Sequence, residues 1–200
     1  MNAVFTATQR RLRSTVPNRL KEGRKLLVLG QYDAALREFN EALEITPYLG
    51  DAYYQRGCVY RARGAIDLAL ADFDRALRCD PQIARAYLHR GRIRTERGEF
   101  DSALADFDRV MIMRPNDAEC YLSRGVCLAK QGLLIEAILD FRRVLKLTNH
   151  SDYAEPARFY LDQLGGENPM PVPSSLPGVN GATHAPDAVP TQPPAQDYVL

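Results

Sequence analysis

The chain has 200 residues, a length that allows one medium-sized domain together with some sequence that does not fold. Its 26 Lys and Arg residues are balanced by 25 Asp and Glu residues, so the net charge provides no general attraction to nucleic acid or to a membrane surface. No apolar run approaches the ~20 residues needed to cross a bilayer, and we find no export signal at the amino terminus. The sequence therefore predicts a cytoplasmic protein without membrane insertion.

The two ends of the chain differ in charge. Residues 1–15 hold three arginines and no acidic residue, which predicts a basic arm. Residues 152–200 hold six acidic residues against one basic residue, Arg158. This asymmetry makes a contact between the acidic end and a basic part of the chain a hypothesis.

Residues 16–151 repeat with a period of 34. Five columns of identical residues share this register, which marks a repeat protein. They are Gly23, Gly57, Gly91 and Gly125; Gly30, Gly64, Gly98 and Gly132; Ala35, Ala69, Ala103 and Ala137; Phe39, Phe73, Phe107 and Phe141; and Pro47, Pro81 and Pro115. We therefore predict four repeats, repeats 1 to 4, at residues 16–49, 50–83, 84–117 and 118–151.

Each repeat predicts a helix, a tight turn and a second helix. Ala35, Phe39, Ala42 and Leu43 form one apolar stripe at helical spacing, and the later repeats carry equivalent stripes. The second glycine of each repeat is expected to end the first helix in a left-handed conformation, and the proline is expected to stop the second helix. An aspartate near the start of the second helix is expected to cap free N–H groups in repeats 1 to 3, at Asp33, Asp67 and Asp101, whereas repeat 4 has Ile135.

The first glycine and the alanine of a repeat predict where its two helices approach most closely. We expect Gly57 to lie against Ala69, with Phe73 filling the space toward the next repeat. A single helical pair can bury only one of its two faces, so stacking of the repeats is required.

This pattern resembles the tetratricopeptide repeat family. The family's consensus columns are matched in repeat 2 by Tyr53, Gly57, Tyr60, Ala69, Phe73, Ala76 and Pro81. Other repeats depart from the family's columns at Arg19, Arg94, Val110, Val144 and Asn149. The resemblance covers residues 16–151 and implies an all-α fold, a right-handed superhelix of antiparallel helix pairs known as an α-solenoid.

The sequence after repeat 4 predicts a capping helix followed by a tail. Tyr153, Ala157, Tyr160, Leu161 and Leu164 form a helical stripe over residues 152–164, with Pro156 acceptable only in the first turn. Residues 165–200 hold eight prolines and four glycines, which predicts a disordered tail. Its last residues, 197–200, are similar to a ligand for a PDZ-type groove, and an inert tail is the alternative. The tail's acidic residues could also occupy a basic groove on the repeats.

Alternating charges predict contacts between repeats. An arginine precedes the first glycine in repeats 2 to 4, and an acidic residue precedes each phenylalanine. Pairing within repeat 1 would oppose Glu22 and Glu38, so we expect each acid to pair with the following unit, as Glu38–Arg56, Asp72–Arg90, Asp106–Arg124 and Asp140–Arg158. The alternative is a solvated charged face whose pairs contribute little.

No arrangement of residues predicts catalysis. The three histidines are scattered, no glycine-rich phosphate loop is present, and the four cysteines lack metal-binding spacing. We therefore predict no enzyme activity, no cofactor and no metal, and we interpret the cysteines as buried reduced thiols.

The resemblance implies that the first helices of the repeats line a concave groove that holds peptides. The helix face that points away from the predicted core carries the candidate groove residues Leu20, Arg24, Leu27, Tyr54, Cys58, Arg61, Arg85, Leu88, Arg92, Leu122 and Val126. An exposed mixture of apolar residues and arginines suits a protein or peptide with acidic and apolar residues, whereas an ordinary helix surface is the alternative. Family members that clamp the acidic tails of heat-shock chaperones use a lysine and an asparagine where this chain has Leu20 and Arg24.

These features predict a non-catalytic adaptor or co-chaperone-like scaffold. A structural subunit that docks through its end repeats is the alternative. Nucleic-acid binding is disfavoured because the arginines are interleaved with acidic residues and form no basic stripe.

Overall fold

A computed structural model describes residues 11–165, and within this range the regular structure is helical with no strand. The helices are α1 (Val16–Val28), α2 (Tyr32–Ile45), α3 (Gly50–Ala62), α4 (Ile66–Cys79), α5 (Ala84–Glu96), α6 (Phe100–Met113), α7 (Ala118–Gln131), α8 (Leu134–Leu147) and α9 (Ser151–Gln163). The helix–turn–helix pattern predicted for each repeat is confirmed. None of the helices in residues 11–165 is long and apolar enough to cross a membrane.

Glycines and prolines end the helices where the sequence predicts. The second glycine of each repeat has a positive φ, from +70° at Gly30 to +89° at Gly132. Each lies just beyond the end of a first helix, where a left-handed residue lets the chain reverse direction. Helices α2, α4 and α6 end two residues before Pro47, Pro81 and Pro115.

The described residues form two compact units, residues 11–93 and residues 94–165, and the division falls inside α5 after Ile93. The first unit has one apolar cluster around Phe39 and a second around Phe73. The second unit has a cluster around Phe141. The phenylalanine column is fully buried in every repeat, at Phe39, Phe73, Phe107 and Phe141.

The expected contact of Gly57 with Ala69 is present, but the Phe73 ring lies even closer to the glycine. A Cβ placed on Gly57 would lie 2.8 Å from Cε1 of Phe73 and 3.3 Å from the Ala69 carbonyl oxygen. Gly23 and Gly125 face Phe39 and Phe141 in the same way, at 2.6 and 2.7 Å. The phenylalanine therefore packs onto the glycine of its own repeat, because only a residue without a side chain leaves room for the ring.

Beyond repeat 4 the chain forms a further helix, α9, which begins at Ser151 and ends at Gln163. Its Ala154, Ala157, Tyr160 and Leu161 are buried, and the Tyr160 ring stacks on Phe141 with the centroids 5.0 Å apart. Pro156 lies inside the helix, so the expectation that it belongs to the first turn is wrong. Proline has no N–H to donate to the Asp152 carbonyl, and the exposed position of Asp152 leaves that end of the helix open to water.

The aspartates at the start of the second helices take part in contacts other than capping. The N-cap positions of α2, α4 and α6 are Gln31, Ala65 and Glu99, and none of them makes a side-chain cap hydrogen bond. Asp33 instead pairs with Arg63 at 2.6 Å, and Asp101 accepts from Gln131 at 3.3 Å. These contacts join the start of a second helix to the end of the next first helix.

The expected ladder of ion pairs is wrong in its partners. Arg56 pairs with Asp72 of its own repeat at 2.7 Å, and Arg124 pairs with Asp140 of its own repeat at 2.8 Å. Arg158 pairs with Glu155 within α9. The acid before each phenylalanine therefore faces the first helix of the same repeat.

The residue after the phenylalanine makes the link to the next repeat. Asn40 accepts from Arg56 at 2.7 Å, Asp74 pairs with Arg90 at 2.6 Å, and Asp108 pairs with Arg124 at 3.4 Å. Neighbouring helical residues project about 100° apart, so positions on either side of the phenylalanine point to different neighbouring helices. In repeat 1 the acid before the phenylalanine, Glu38, pairs at 3.2 Å with Arg19, which lies one helical turn before Glu22. In repeat 3 the equivalent acid, Asp106, pairs at 2.8 Å with Arg94, which lies one helical turn after Arg90.

The predicted basic arm and the predicted tail fall largely outside the described residues. Residues 1–10 and 166–200 are not described, and the tail's end at residues 197–200 lies in this part. The predictions made for them remain predictions.

Candidate peptide-binding site

The apolar members of the predicted groove are mostly buried. Leu20, Tyr54, Leu88 and Leu122 occupy the same position in successive repeats and are 8%, 5%, 3% and 9% exposed. The expectation of an exposed apolar surface is therefore wrong at this position, because these side chains pack into the core. The apolar surface that remains comes from the half-buried side chains at Leu27, Cys58 and Val126.

The arginines of the predicted groove differ in their surroundings. Arg24 lies 3.2 Å from the carboxylate of Asp51, so its charge is already compensated within the chain. Arg85 is exposed, whereas Arg61 and Arg92 are half-buried. The last three lie on α3 and α5 within the first unit.

The charges of these three arginines all act on the buried imidazole of His89. The ring stacks against Tyr54 with the centroids 5.8 Å apart and against Phe73 with the centroids 5.9 Å apart. Burial holds the pKa of His89 well below its ordinary value, and the charges of the three arginines lower that pKa further. We call Arg61, Arg85, Arg92 and His89 the basic patch.

The basic patch contains hydrogen-bonding capacity that the chain does not use. His89 is 5% exposed, and its Nδ1 atom has no hydrogen-bond partner among the residues that the structure describes. The same holds for the buried Nε of Arg61. Within residues 11–165, neither Arg61 nor Arg85 has a carboxylate partner, in contrast to Arg56 and Arg124. The patch therefore has unsatisfied polar atoms at His89 and Arg61 and positive charge without a carboxylate partner at Arg61 and Arg85.

The polar groups beside the patch stay neutral near pH 7. Burial raises the pKa of the Tyr54 hydroxyl well above its ordinary value, and nearby Arg85 opposes this shift only in part. Burial also raises the pKa of the Cys58 thiol to about 11, against the influence of Tyr54 and Arg61. Neither group becomes a nucleophile under these conditions, because the reactive forms are the deprotonated ones.

All four cysteines are free thiols. Cys120 and Cys127 are buried, as predicted, whereas Cys58 and Cys79 are half-buried. Burial raises the pKa of Cys120 to about 12 and also raises that of Cys127. Among residues 11–165 there is no group of His, Cys, Asp and Glu side chains that could hold a metal ion.

Sequence reasoning missed His89 as a site residue, because it was judged only as one of three scattered histidines. Its equivalents in the repeats before and after are Gln55 and Ser123, and Ser123 is also buried. A polar residue at a buried position of the repeat register was the available signal.

Comparison with known proteins identifies the family. The family model for the tetratricopeptide repeat matches residues 20–82, 54–118 and 88–152. These overlapping matches span well over half of the chain, so the chain belongs to the tetratricopeptide repeat family. Members of this family are generally non-catalytic scaffolds for protein–protein interaction.

Solved structures show the same fold. The crystal structure of YrrB, a tetratricopeptide repeat protein described as having an unusual peptide-binding site, is 24% identical, with a TM-score of 0.63 over 82% of this chain and 85% of that chain. TTC0263, a thermophilic tetratricopeptide repeat protein from Thermus thermophilus, is 23% identical, with a TM-score of 0.66 over 76% of this chain and 84% of that one. MamA from Desulfovibrio magneticus RS-1 is 20% identical, with a TM-score of 0.65 over 76% and 86%. A search of curated proteins gave no significant match.

Proposed function

We propose that this protein is a non-catalytic scaffold that binds an acidic segment of a partner protein at the basic patch of its first unit. The observation that carries this proposal is the absence of carboxylate partners for Arg61 and Arg85 within the described residues. Elsewhere in the chain, half-buried arginines on first helices are paired with acidic side chains, as Arg56 is with Asp72. A partner's carboxylates would supply the missing counter-charge.

The apolar part of the predicted partner finds less support than the acidic part. Leu20, Tyr54, Leu88 and Leu122 lie in the core, which leaves Leu27 and Cys58 as the half-buried apolar members of the predicted groove in the first unit. We therefore propose that charge dominates recognition and that apolar contacts are secondary. YrrB, which shares this fold, is described as having a peptide-binding site, and this is consistent with the proposed class of partner.

Charge reversal tests the proposal directly. Arg61→Glu with Arg85→Glu changes the basic patch, whereas Arg37→Glu with Arg78→Glu changes two exposed residues on the second helices of the same unit. Proteins retained from a native lysate by the unchanged chain should be lost from the patch variant and kept by the control variant. Equal loss from both variants would place the binding surface elsewhere.

A structural subunit remains a second candidate because repeat 4 exposes apolar side chains. Leu133, Leu134, Ile135 and Leu139 lie at the start of α8 and are 40%, 44%, 65% and 58% exposed. Earlier repeats have Asp33, Asp67 or Asp101 where this one has Ile135. Such a group favours docking through the last repeat, and the size of the purified protein in gel filtration separates this function from peptide binding by a monomer.

The location of the protein in the cytoplasm, the repeat boundaries and the role of the acidic tail stay part of this proposal. The tail's acidic residues Glu167, Asp187 and Asp197 are of the sign that the basic patch would attract. These three residues lie outside the described residues. Whether the tail competes with the partner for the basic patch is tested by comparing partner binding with and without residues 166–200.

A further inference from the structure

The basic patch contains a buried imidazole, His89, whose Nδ1 has no hydrogen-bond partner among the described residues. We infer that Arg61, Arg85 and His89 form a site for one oxyanion, a carboxylate or a phosphate group of the ligand, and that His89 takes up a proton from solvent when this group binds. The inference deepens the proposed function and rests on it for the identity of the molecule that carries the oxyanion.

Hydrogen bonding supports a single small anion at this place. The Nδ1 of His89 and the Nε of Arg61 are both buried and both lack a partner among the described residues. Buried polar groups in proteins are nearly always hydrogen-bonded, so two of them in one patch are an unusual combination. An oxyanion can accept from both, since each of its oxygens offers more than one lone pair.

The charges that act on His89 come from two helices and have one sign. Arg61 acts from α3, while Arg85 and Arg92 act from α5. From α4 the neighbouring group is the Phe73 ring, and from α3 it is the Tyr54 ring, both without charge near pH 7. The acid that acts on neighbouring Cys58 is Asp51, which itself pairs with Arg24 at 3.2 Å. No carboxylate is among the described groups whose charge acts on His89, and neither Arg61 nor Arg85 has a carboxylate partner within residues 11–165.

Proton uptake follows from this balance. Without a ligand, burial and the positive charges keep the imidazole neutral. A bound anion offsets the positive charge of the arginines and accepts a hydrogen bond from the imidazolium, so both effects favour the charged form of His89. By linkage, an anion that raises the proton affinity of His89 must itself bind more tightly at lower pH.

The stacked rings fix where the anion can meet the imidazole. Tyr54 and Phe73 pack against the ring of His89, and their own centroids lie 6.1 Å apart. These contacts hold the imidazole in one position, so that its ring nitrogens remain as the points of interaction. A preorganised donor loses little freedom when the anion binds, which favours a defined site over a diffuse ion atmosphere.

Nuclear magnetic resonance of the full chain tests the inference with inorganic phosphate and with acetate as separate probes. The ring signals of His89 are followed at about pH 6 and about pH 8 with ionic strength held constant by sodium chloride. We expect a saturable shift of His89 with at least one probe, at least about tenfold tighter at the lower pH. Exposed His150 serves as the internal reference for nonspecific effects.

Two variants complete the test. Arg61→Gln with Arg85→Gln should abolish the saturable shift, and Arg37→Gln with Arg78→Gln should leave it unchanged. Saturation by phosphate assigns a phosphate site, and saturation by acetate assigns a carboxylate site. The inference is overturned by no saturable shift with either probe, by an equal shift of His150, or by a shift that survives in the patch variant. If the anion binds but the partner is retained by the patch variant, the proposed function fails while the anion site stands.

Discussion

Asp72 shows how a single buried carboxylate is stabilised in this repeat. It is 2% exposed and accepts two hydrogen bonds from Arg56, at 2.7 Å from Nε and 2.8 Å from Nη2. The same guanidinium also donates to Asn40 at 2.7 Å, so one arginine connects α2, α3 and α4. Bidentate geometry and burial make this pair far stronger than an exposed ion pair.

Replacing Arg56 by methionine should therefore lower the free energy of unfolding by about 3 kcal/mol, because buried Asp72 would lose both short hydrogen bonds and keep only the exposed Arg75, at 3.9 Å, as a counter-charge. Urea unfolding measures this change, and Arg37→Met on the exposed side of α2 is the control. A double-mutant cycle should give a larger coupling for Asp72 with Arg56 than for Asp72 with Arg90. The reverse order would contradict the pairing within the repeat.

Stability should also depend on pH through His89. The pKa of this group is lowered in the folded chain, so below its unfolded value of about 6.5 the unfolded chain binds a proton that the folded chain does not. The free energy of unfolding should therefore fall as pH drops below this value, by up to about 1.4 kcal/mol per pH unit from this residue. His89→Gln should remove this component of the slope between about pH 6.5 and pH 5. Identical slopes for both proteins would show that His89 titrates normally in the folded state.

At the scale of the helices, two glycine columns serve opposite needs. Gly57 has no room for a Cβ because Phe73 lies 2.8 Å from where it would be. Gly64 has nothing within 4 Å but requires a φ of +75°. One column is therefore a requirement of space and the other a requirement of backbone conformation.

Asparagine separates these two requirements, since it tolerates a positive φ better than most residues. Gly64→Asn should cost less than about 1 kcal/mol in urea unfolding, whereas Gly57→Asn should cost about 3 kcal/mol or more through displacement of the buried phenylalanine. Equal costs at both positions would refute the distinction.

The repeat register explains why the helices could be predicted from the sequence. The glycines at 30, 64, 98 and 132 and the prolines at 47, 81 and 115 end helices through local backbone chemistry, and that chemistry is visible in the sequence. The partners of charged side chains were harder to predict, because the residues on both sides of Phe73 are aspartates that can pair with an arginine. Which one faces which helix depends on the rotation of α4 about its axis, and the periodic pattern fixes this only approximately.

The candidate site could be predicted only in part for the same reason. Arg61, Arg85 and Arg92 all act on the charge of His89, but the rotation of α1, α3, α5 and α7 turns the leucine and tyrosine column of the predicted groove inward. The pairing of Arg24 with Asp51 depends on how α1 packs against α3. The residue pattern of one helix does not predict such a contact between two helices.

At the scale of the whole molecule, the chain is a tetratricopeptide repeat protein in which most charged first-helix positions are used internally. Within residues 11–165, the basic patch in the first unit and the exposed apolar side chains of repeat 4 are exceptions to this pattern. Each suggests a different interaction, and each can be changed without touching the buried phenylalanines.

The apolar surface of repeat 4 can be converted to the residues of earlier repeats. Ile135→Asp introduces the aspartate found at Asp101, and Leu139→Ala introduces the alanine found at Ala105. If repeat 4 docks onto another molecule or onto a second copy, this double variant should elute later in gel filtration or lose a co-purifying protein, with unchanged stability. Unchanged elution and unchanged co-purification would exclude docking through these residues.

The central claim is that the basic patch holds the acidic segment of a partner. The most direct measurement is the dissociation constant of the retained partner for three purified chains: unchanged, Arg61→Glu with Arg85→Glu, and Arg37→Glu with Arg78→Glu. We expect the patch variant to bind at least about tenfold more weakly, the control to stay within about twofold, and the difference to shrink as salt rises above about 0.15 M. Equal weakening by both variants, or none by the patch variant, would contradict the account.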